Sequence, residues 1–240
     1  MLASHEVLVK QFDRIVEQMP NKTAIIYHGE RTRFIDLQLL SHKIANWVES
    51  NLNLGLDDSK FSSGSNEDTV EPPNIPQAQI GLMLGNTPDL VAFVIGIARV
   101  RVASVLFNTN HRRDSLLHAL MATNCQVFVF GNKYLDAIRE IVPQLPDQIK
   151  FFMYDQNILN EINNNNNNNS KFDHTNYFNY NGVTKEYLLY NSSSNSPTAA
   201  VDNFAEILTH YSDEPLQRKY TYSLSDNVSV LLIVLHLRNF

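Results

Sequence analysis

The stretch from residue 79 to residue 154 constrains the fold most, because short apolar segments alternate there with segments of helical periodicity. The predicted strands are residues 79–84, 103–107, 126–130 and 149–154. The predicted helices between them are residues 87–100, 114–123 and 134–145. Strands that alternate with helices at this spacing are typical of parallel βαβ units. The sequence therefore predicts an α/β fold with a parallel sheet.

The helix that follows residue 86 has the clearest start signal. Thr87 is the predicted N-cap, Pro88 stands at the first helical position, and the charge of Asp89 is expected to interact favourably with the helix N-terminus. Residues 90–100 are apolar on nearly every face, so we expect this helix to be buried.

The N-terminal region predicts a helix, a hairpin and a second helix. Apolar residues at helical spacing cover residues 6–18. Two β-rich segments, 23–27 and 32–35, flank a turn at residues 28–30 and predict a hairpin. Asp36 is predicted to open the second, amphipathic helix.

Two segments of biased composition interrupt the chain. Residues 55–78 are acidic, rich in serine and glycine and end in several prolines, which predicts a solvated insertion. Residues 157–197 are rich in asparagine, with an unbroken run at 163–169, and predict a disordered insertion. A helix is predicted at 198–211 and a last strand at 226–233. The predicted domain organisation is 1–54, 55–78, 79–156, 157–197 and 198–240.

Composition excludes several classes of function. With 19 Lys and Arg against 25 Asp and Glu, the chain has no basic excess for binding nucleic acid. Cys125 is the single cysteine, so no intramolecular disulfide or multi-cysteine metal site can form, and we expect this thiol to be packed rather than nucleophilic. The longest strongly apolar stretch, 90–107, is shorter than the roughly 20 residues of a membrane span. We therefore predict no transmembrane segment and no signal peptide, and peripheral membrane contact stays open.

Motifs of established catalytic chemistry are absent from the sequence. It contains neither of the glycine-rich phosphate-binding patterns G-x-x-x-x-G-K-[ST] and G-x-G-x-x-G, nor the G-x-S-x-G nucleophile turn. Its 8 histidines show no H-E-x-x-H spacing. We therefore assign no catalytic, cofactor-binding or metal-binding residue.

The loop at residues 108–113 is more specific, because it follows a predicted strand and opens a helix. In the simpler interpretation, Asp114 caps the helix and both arginines of the loop are solvated. In the functional interpretation, Arg112 and Arg113 hold an anion or a neighbouring loop, because guanidinium groups suit carboxylate and phosphate. The loop residues that stand out without an assigned role are Asn108, Thr109, Asn110, Arg112 and Arg113.

The run IGLMLGNTPDLVAFVIGIARVRVASVLFNTNHRRDSLLHALMATNCQVFVFG resembles the first βαβ units of the acyl-adenylate-forming, or AMP-binding, enzymes. Its NTNHRRDSLLH part most resembles the very-long-chain acyl-CoA synthetase and fatty-acid transport protein branch. The opening FDRIVEQMPNKTAIIYHGERTRFIDLQLLSHKIANWV is similar to the start of the superfamily. The resemblance covers 6–54, 79–154 and 198–233, and it implies an incomplete parallel sheet from the start of the AMP-binding large domain.

For complete members, the resemblance implies ATP-dependent activation of a fatty acid to an acyl-adenylate, followed by transfer to coenzyme A, with Mg²⁺. In these enzymes the strand that resembles 226–233 runs into a loop that wraps the ATP phosphates. Here no glycine, serine or threonine follows Ser229. We therefore expect a truncated relative of a long-chain or very-long-chain fatty acid–CoA ligase that binds no cofactor and is inactive as this chain.

Arg101 is a smaller departure from the family pattern, because the relatives usually have glycine after the buried helix. If this position is left-handed, arginine costs on the order of 1 kcal/mol there.

Two alternatives stay open. The chain could be the product of a truncated or misread gene for an active synthetase, which reading the nucleotide sequence past codon 233 in three frames would decide. It could also be a non-catalytic module that pairs with a full-length synthetase, or with itself, through an exposed sheet edge at residues 228–235. The family resemblance implies a cytoplasmic location, with contact to the face of an internal membrane left open.

Overall fold

The computed structural model describes residues 8–51, 78–123, 125–155, 204–216 and 230–232. Apart from residue 78, the two predicted insertions lie outside these residues. Both ends of the predicted last strand, and the chain that follows it, also lie outside them.

The N-terminal region contains the predicted helix, hairpin and helix. Its elements are α1 (Leu8–Gln18), β1 (Thr23–Tyr27), β2 (Glu30–Arg33) and α2 (Phe34–Asn51). β1 and β2 pair antiparallel. His28 and Gly29 both have positive φ (49° and 87°), as the tight two-residue turn of a hairpin requires. Because the turn is this short, β2 begins earlier than the predicted residue 32.

The second helix begins at Phe34 rather than at the predicted Asp36. The Asp36 carboxylate accepts a hydrogen bond from the backbone N–H of Arg33 (2.9 Å) and two from its guanidinium (2.9 and 2.6 Å). Asp36 therefore caps the helix from inside the first turn, where its negative charge also suits the helix dipole.

The remaining elements are β3 (Gln79–Met83), α3 (Pro88–Arg99), β4 (Ala103–Leu106), α4 (Arg113–Met121), β5 (Cys125–Gly131), α5 (Leu135–Ile141), β6 (Lys150–Tyr154), α6 (Phe204–Thr209) and β7 (Val230–Leu232). Short 3₁₀ turns, Asn132–Tyr134 and Val142–Gln144, flank α5. The predicted helix 134–145 is therefore shorter than expected, because Pro143 has no N–H to continue the α-helical hydrogen bonds.

Five parallel strands form the main sheet, in the order β6-β5-β3-β4-β7. Helices separate the consecutive strands β3, β4, β5 and β6 along the chain. The predicted α/β fold of parallel βαβ units is thus confirmed.

Helices cover both faces of this sheet, and strand side chains alternate between the two. On the first face, α1, α2, α3 and α6 pack on residues such as Leu82, Val129 and Phe152. On the second face, α4 and α5 pack on residues such as Val105 and Phe128. This arrangement explains why the strands are almost entirely apolar, because a parallel sheet that is buried on both faces has no polar side.

Aromatic rings fill the centre of the first face. Phe204 of α6 lies between Trp47 of α2, Phe152 of β6 and Phe93 of α3, with ring centroids 4.6, 5.0 and 5.7 Å away. These side chains are at most 2% exposed. Residues distant in sequence therefore share one core, which joins α6 to the N-terminal region.

A polar cluster joins α1, α2 and α3 beside this core. The guanidinium of Arg99 donates two hydrogen bonds to the Asp13 carboxylate (2.9 and 2.6 Å) and one to Ser41 Oγ (3.0 Å). Gln38 donates a further hydrogen bond to Asp13 (2.9 Å). Burial opposes ionisation of Asp13, but the hydrogen bonds from Arg99 and Gln38 outweigh it and hold its pKa below the ordinary value.

In the described part of the chain, no helix combines the length and apolar character needed to cross a bilayer.

Candidate functional site at the carboxyl edge of the sheet

Four strands of the parallel sheet end side by side. Leu82 of β3 pairs with Leu106 of β4, Met83 with Phe130 of β5, and Gly131 with Tyr154 of β6. The loops that follow these strands therefore meet at one edge of the sheet. In open α/β folds, ligands bind in crevices at this carboxyl edge. We take these loops as the candidate site.

The connections switch from one face of the sheet to the other at β3. β3 leads into α3 on the first face of the sheet. Its two neighbours, β4 and β5, lead into α4 and α5 on the second face. Connections that diverge to opposite faces leave a gap between their loops, and this is the usual ligand position in doubly wound sheets.

The loop singled out from the sequence, residues 108–113, follows β4 and lies at this edge. Asn108 accepts a hydrogen bond from the backbone N–H of Asn110 (2.9 Å) through its side-chain oxygen. The Arg112 guanidinium donates to the backbone carbonyls of Thr109 and His111, both at 2.7 Å. Arg112 therefore fixes the conformation of its own loop, whereas the functional interpretation requires it to hold an anion or a neighbouring loop.

The start of α4 differs from the simpler interpretation, in which Asp114 caps the helix. The hydroxyl of Ser115 accepts a hydrogen bond from the backbone N–H of Arg112 (3.2 Å) and donates one to its carbonyl (2.8 Å). Arg112 is the N-cap residue. Because one hydroxyl can both donate and accept, Ser115 makes both of these capping hydrogen bonds. Asp114 is exposed.

The two arginines of the loop have different surroundings. Arg113 has a positive φ of 46°, and its side chain is 80% exposed beside Glu140 of α5, with 3.6 Å between Nε and the carboxylate. The guanidinium carbon of Arg112 lies 5.9 Å from the ring centre of Tyr134. The structure thus places Arg112, and not Arg113, against the neighbouring loop after β5.

A second cation, which the sequence patterns did not indicate, shares the ring of Tyr134. The ammonium of Lys133 lies 5.0 Å from the ring centre. It also lies 3.3 Å from the point where a Cβ on Gly85 would stand, so Lys133 reaches the turn between β3 and α3. The loops after β3, β4 and β5 therefore meet around one aromatic ring with two cations.

The N-terminus of α3 at this edge follows the predicted pattern only in part. Thr87 is the N-cap residue and Pro88 the first helical residue, but the Thr87 hydroxyl makes no capping hydrogen bond. Asp89 is buried (6% exposed) rather than interacting with the helix end from solvent. Burial raises its pKa to about 6, against the lowering effect of the nearby Tyr154 hydroxyl.

Tyr154, at the end of β6, explains why Asp89 is buried. Its ring packs edge-on against Phe93 of α3, with 5.1 Å between ring centres, and so covers the first turn of that helix. Burial, followed by the charge of Asp89, raises the pKa of Tyr154 well above its ordinary value. Next to it, Asn132 donates a hydrogen bond to the carboxylate of Asp155 (2.9 Å), which joins the loops after β5 and β6.

These groups can bind and orient a ligand, but they do not form a recognised catalytic or metal-binding set. Among the residues that the structure describes, no group of three or more His, Cys, Asp or Glu could hold a metal ion. Cys125 is buried as expected, and burial raises the pKa of its thiol to about 11, so it is a poor nucleophile. The region after residue 232, where the family resemblance places the phosphate-binding loop, lies outside the described residues.

No family model matches the chain, whereas two fatty acid transport proteins are similar to part of it. Long-chain fatty acid transport protein 6 of Mus musculus is 28% identical over 133 residues, which are 55% of this chain and 18% of that protein. The protein of the same name from Homo sapiens is 29% identical over 133 residues, again 55% of this chain and 18% of that protein. The similarity therefore spans a small part of each relative.

One solved structure of a CoA ligase shares part of the fold. A long-chain-fatty-acid-CoA ligase from Archaeoglobus fulgidus superposes with a TM-score of 0.58 at 12% identity, over 97% of this chain and 35% of that one. A benzoate CoA ligase from Burkholderia xenovorans LB400 has a TM-score of 0.49 at 14% identity, over 63% of this chain and 26% of that one. The first of these similarities shows that the chain has part of the α/β fold of such a ligase.

Proposed function

We propose that this chain forms part of the scaffold of a long-chain fatty acid–CoA ligase. It is a relative of the fatty-acid transport protein and very-long-chain acyl-CoA synthetase branch of the acyl-adenylate-forming superfamily. The 133-residue similarity to the two fatty acid transport proteins carries this proposal. In the complete reaction, the fatty acid carboxylate attacks the α-phosphate of ATP and releases pyrophosphate, and the thiol of coenzyme A then displaces AMP.

In this scaffold, the carboxyl edge of the sheet positions loops and places two cations beside one aromatic ring. Arg112 fixes the loop after β4 through two backbone carbonyls. The ammonium of Lys133 and the guanidinium of Arg112 lie 5.0 and 5.9 Å from the ring centre of Tyr134. Positive charge at this edge favours an anionic ligand, because ammonium and guanidinium groups bind carboxylate and phosphate. Both the activated carboxylate and the nucleotide are anionic.

We further propose that these 240 residues do not catalyse the reaction by themselves. The support is chemical, because acyl-adenylate formation brings a carboxylate to a polyanion, which requires dense phosphate contacts and Mg²⁺. The sequence contains no glycine-rich phosphate-binding pattern. ATP–pyrophosphate exchange with a long-chain fatty acid tests this proposal. We expect no exchange above background, and exchange comparable to that of a full-length ligase would overturn it.

A chimera tests the scaffold role separately. The matching segment of long-chain fatty acid transport protein 6 would be replaced by this chain, and fatty-acid-dependent exchange would be measured beside the parent protein. We expect the chimera to retain activity within about tenfold, which is about 1.4 kcal/mol of activation free energy, because the inserted segment has the same fold. A chimera that folds, by circular dichroism, but shows no exchange where the parent does would contradict the scaffold role.

A second candidate is a non-catalytic module that pairs with a full-length synthetase or with itself. It is favoured by the position of β7, which pairs with β4 and stands at the edge of the described sheet. Unpaired strand edges are templates for pairing with another chain. Light scattering after size exclusion, with and without a purified synthetase, tests this. A monomer that binds no synthetase at micromolar concentration would exclude it.

For location, we propose the cytoplasm, with peripheral attachment to an internal membrane, as the family resemblance implies. Fractionation of cells that express the tagged chain tests this. Recovery in the membrane pellet that is released by alkaline carbonate would support peripheral attachment, and retention in the pellet after carbonate would contradict it.

A further inference from the structure

Residues 211–216, which we call the strap, follow α6 and lie along α2. The side-chain amide of Asn46 donates hydrogen bonds to the carbonyls of Ser212 (2.8 Å) and Glu214 (3.0 Å). One turn further along α2, the amide of Asn51 donates to the hydroxyl of Tyr211 (2.6 Å). Polar side chains of one helix thus hold the backbone and one side chain of a segment 160 or more residues away.

The strap and the helix before it are attached by different kinds of contact. Phe204 and Leu208 of α6 are at most 2% exposed in the apolar core. In contrast, strap residues 212–215 are exposed, and only Tyr211 and Leu216 pack partly buried against the core. Segments with few buried apolar contacts and exposed hydrogen bonds open at a lower free energy than the core does. The strap can therefore open while α6 stays in place.

His42 of α2 lies beneath the strap and is bonded to it. Its Nδ1 lies 2.8 Å from the carbonyl of Asp213, and because a carbonyl only accepts, Nδ1 carries the hydrogen. His42 is 5% exposed. A neutral ring satisfies this hydrogen bond, whereas protonation of the other ring nitrogen would place a positive charge in a buried position.

The charged groups that face His42 come from three other elements. Arg99 of α3 opposes a second positive charge, whereas Asp13 of α1 and Glu214 of the strap favour it. Asp13 is already engaged by both guanidinium nitrogens of Arg99. Burial, followed by Arg99, lowers the pKa of His42 below 6.5, although Asp213, Asp13 and Glu214 act in the opposite direction. The closed strap therefore selects neutral His42.

We propose that the strap is an acid-released latch, which is closed over neutral His42 and opens when that ring takes up a proton. The direction of this pH dependence follows from the linkage between proton binding and opening of the strap. Above the ordinary histidine pKa of about 6.5, the ring is neutral whether the strap is open or closed, so proton binding does not oppose closing of the strap. Below it, the open form binds the proton more strongly, and the equilibrium moves towards opening.

Hydrogen–deuterium exchange of the full chain at pH 7.5, 6.5 and 5.5, corrected for intrinsic exchange rates, tests the latch. We expect protection of a peptide that covers 211–216 to fall below pH 6.5, by up to about tenfold per pH unit, the limit for uptake of one proton. Protection of β3 should stay constant. Strap protection that does not change between pH 7.5 and 5.5 would overturn the proposal.

Two variants assign the effect to His42. In His42→Asn, the amide can still donate to Asp213 but does not titrate, so strap protection should become independent of pH. The control His118→Asn, at an exposed position of α4, should keep the dependence of the unmodified chain. If His42→Asn retains the full dependence, another group titrates and the latch is refuted.

Asn46→Ala provides an independent check that does not alter the titrating ring. Loss of its two hydrogen bonds should open the strap at pH 7.5. It should also raise the pKa of His42, followed by NMR of the ring protons, towards 6.5. An unchanged His42 titration in an opened strap would contradict the coupling.

Discussion

Arg101 adopts a left-handed backbone conformation, with a φ of 60°, directly after α3. Its N–H donates to the carbonyl of Ala98 (3.1 Å), and the N–H of Val102 donates to that of Ile97 (3.3 Å). These two bonds form a Schellman motif, which usually has glycine at the left-handed position. The glycine expected from the family pattern therefore has a physical reason, and arginine is strained there.

We expect Arg101→Gly to raise the free energy of unfolding by about 1 kcal/mol, because glycine has no Cβ to oppose a positive φ. Urea unfolding followed by circular dichroism measures this. Arg101→Ala is the matched control, since it removes the same side chain and keeps the Cβ. Equal gains in both variants would show that the side chain, and not the backbone, is responsible.

Asp89 gives the protein a specific pH dependence. Burial raises its pKa from 3.8 to about 6 in the folded state. The folded state therefore binds this proton more strongly than the unfolded state does. The resulting stability is fully present below pH 3.8 and is lost as the pH rises towards 6.

We expect Asp89→Asn to abolish this loss, because the amide has nearly the same shape as the carboxyl group and does not ionise. Relative to this variant, the unmodified chain should lose about 2–3 kcal/mol of stability between pH 4 and pH 7. Urea unfolding at several pH values measures the difference. Asp114→Asn, at an exposed position, is the control and should follow the unmodified chain. Parallel pH profiles for Asp89→Asn and the unmodified chain would refute the assignment.

At the scale of elements, the crossing of α2 and α3 depends on Gly96. A Cβ on this residue would stand 2.6 Å from the carbonyl oxygen of Ser41 and 2.8 Å from the Cβ of Ile44. Backbone atoms cannot move away as a flexible side chain can. The two helices approach this closely only because α3 has no side chain at this point.

We expect Gly96→Ala to lower the free energy of unfolding by about 1–3 kcal/mol, as overpacking does, although alanine favours helix formation. Thermal unfolding by calorimetry measures the change. Val91→Ala, on the exposed side of the same helix, is the control and should change stability by less than about 0.5 kcal/mol. A stabilised Gly96→Ala variant would show that the helices separate without cost.

At the scale of the whole molecule, α6 completes the core of the N-terminal region. Phe204 is 0% exposed, with its ring against Trp47, Phe93 and Phe152. Its partners belong to α2, α3 and β6, so three elements lose contacts when it is removed. α6 and the elements that contact Phe204 should therefore unfold together.

We expect Phe204→Ala to lower the free energy of unfolding by about 3–5 kcal/mol, the usual cost of a large core cavity. Tryptophan fluorescence should report the same transition as circular dichroism, because Trp47 is the single tryptophan and contacts Phe204. Leu39→Ala, at an exposed position of α2, is the control. A loss below about 1 kcal/mol would show that α6 contributes little to this core.

Local sequence patterns were sufficient to predict those structural features whose physical cause is local. Apolar runs predicted the strands of the sheet, because a strand buried on both faces must be apolar throughout. His28 and Gly29 indicated the hairpin turn, and the family pattern at Arg101 indicated the left-handed helix end. The candidate loop 108–113 was found, but its two arginines were treated alike. The difference between their surroundings depends on Tyr134 and Glu140, which lie on other elements.

By itself, the sequence determined the α/β class, the parallel strands and the resemblance to fatty acid-activating enzymes, because periodicity and turn chemistry act over a few residues. Tertiary structure alone decided which polar groups meet. It brought Asp13 to Arg99, Asp89 to Tyr154, and His42 to the strap. The partners in these pairs are 86, 65 and 171 residues apart in the chain, respectively, and the pKa values of Asp13, Asp89 and His42 depend on burial. Burial exists only once the sheet and its helices have assembled.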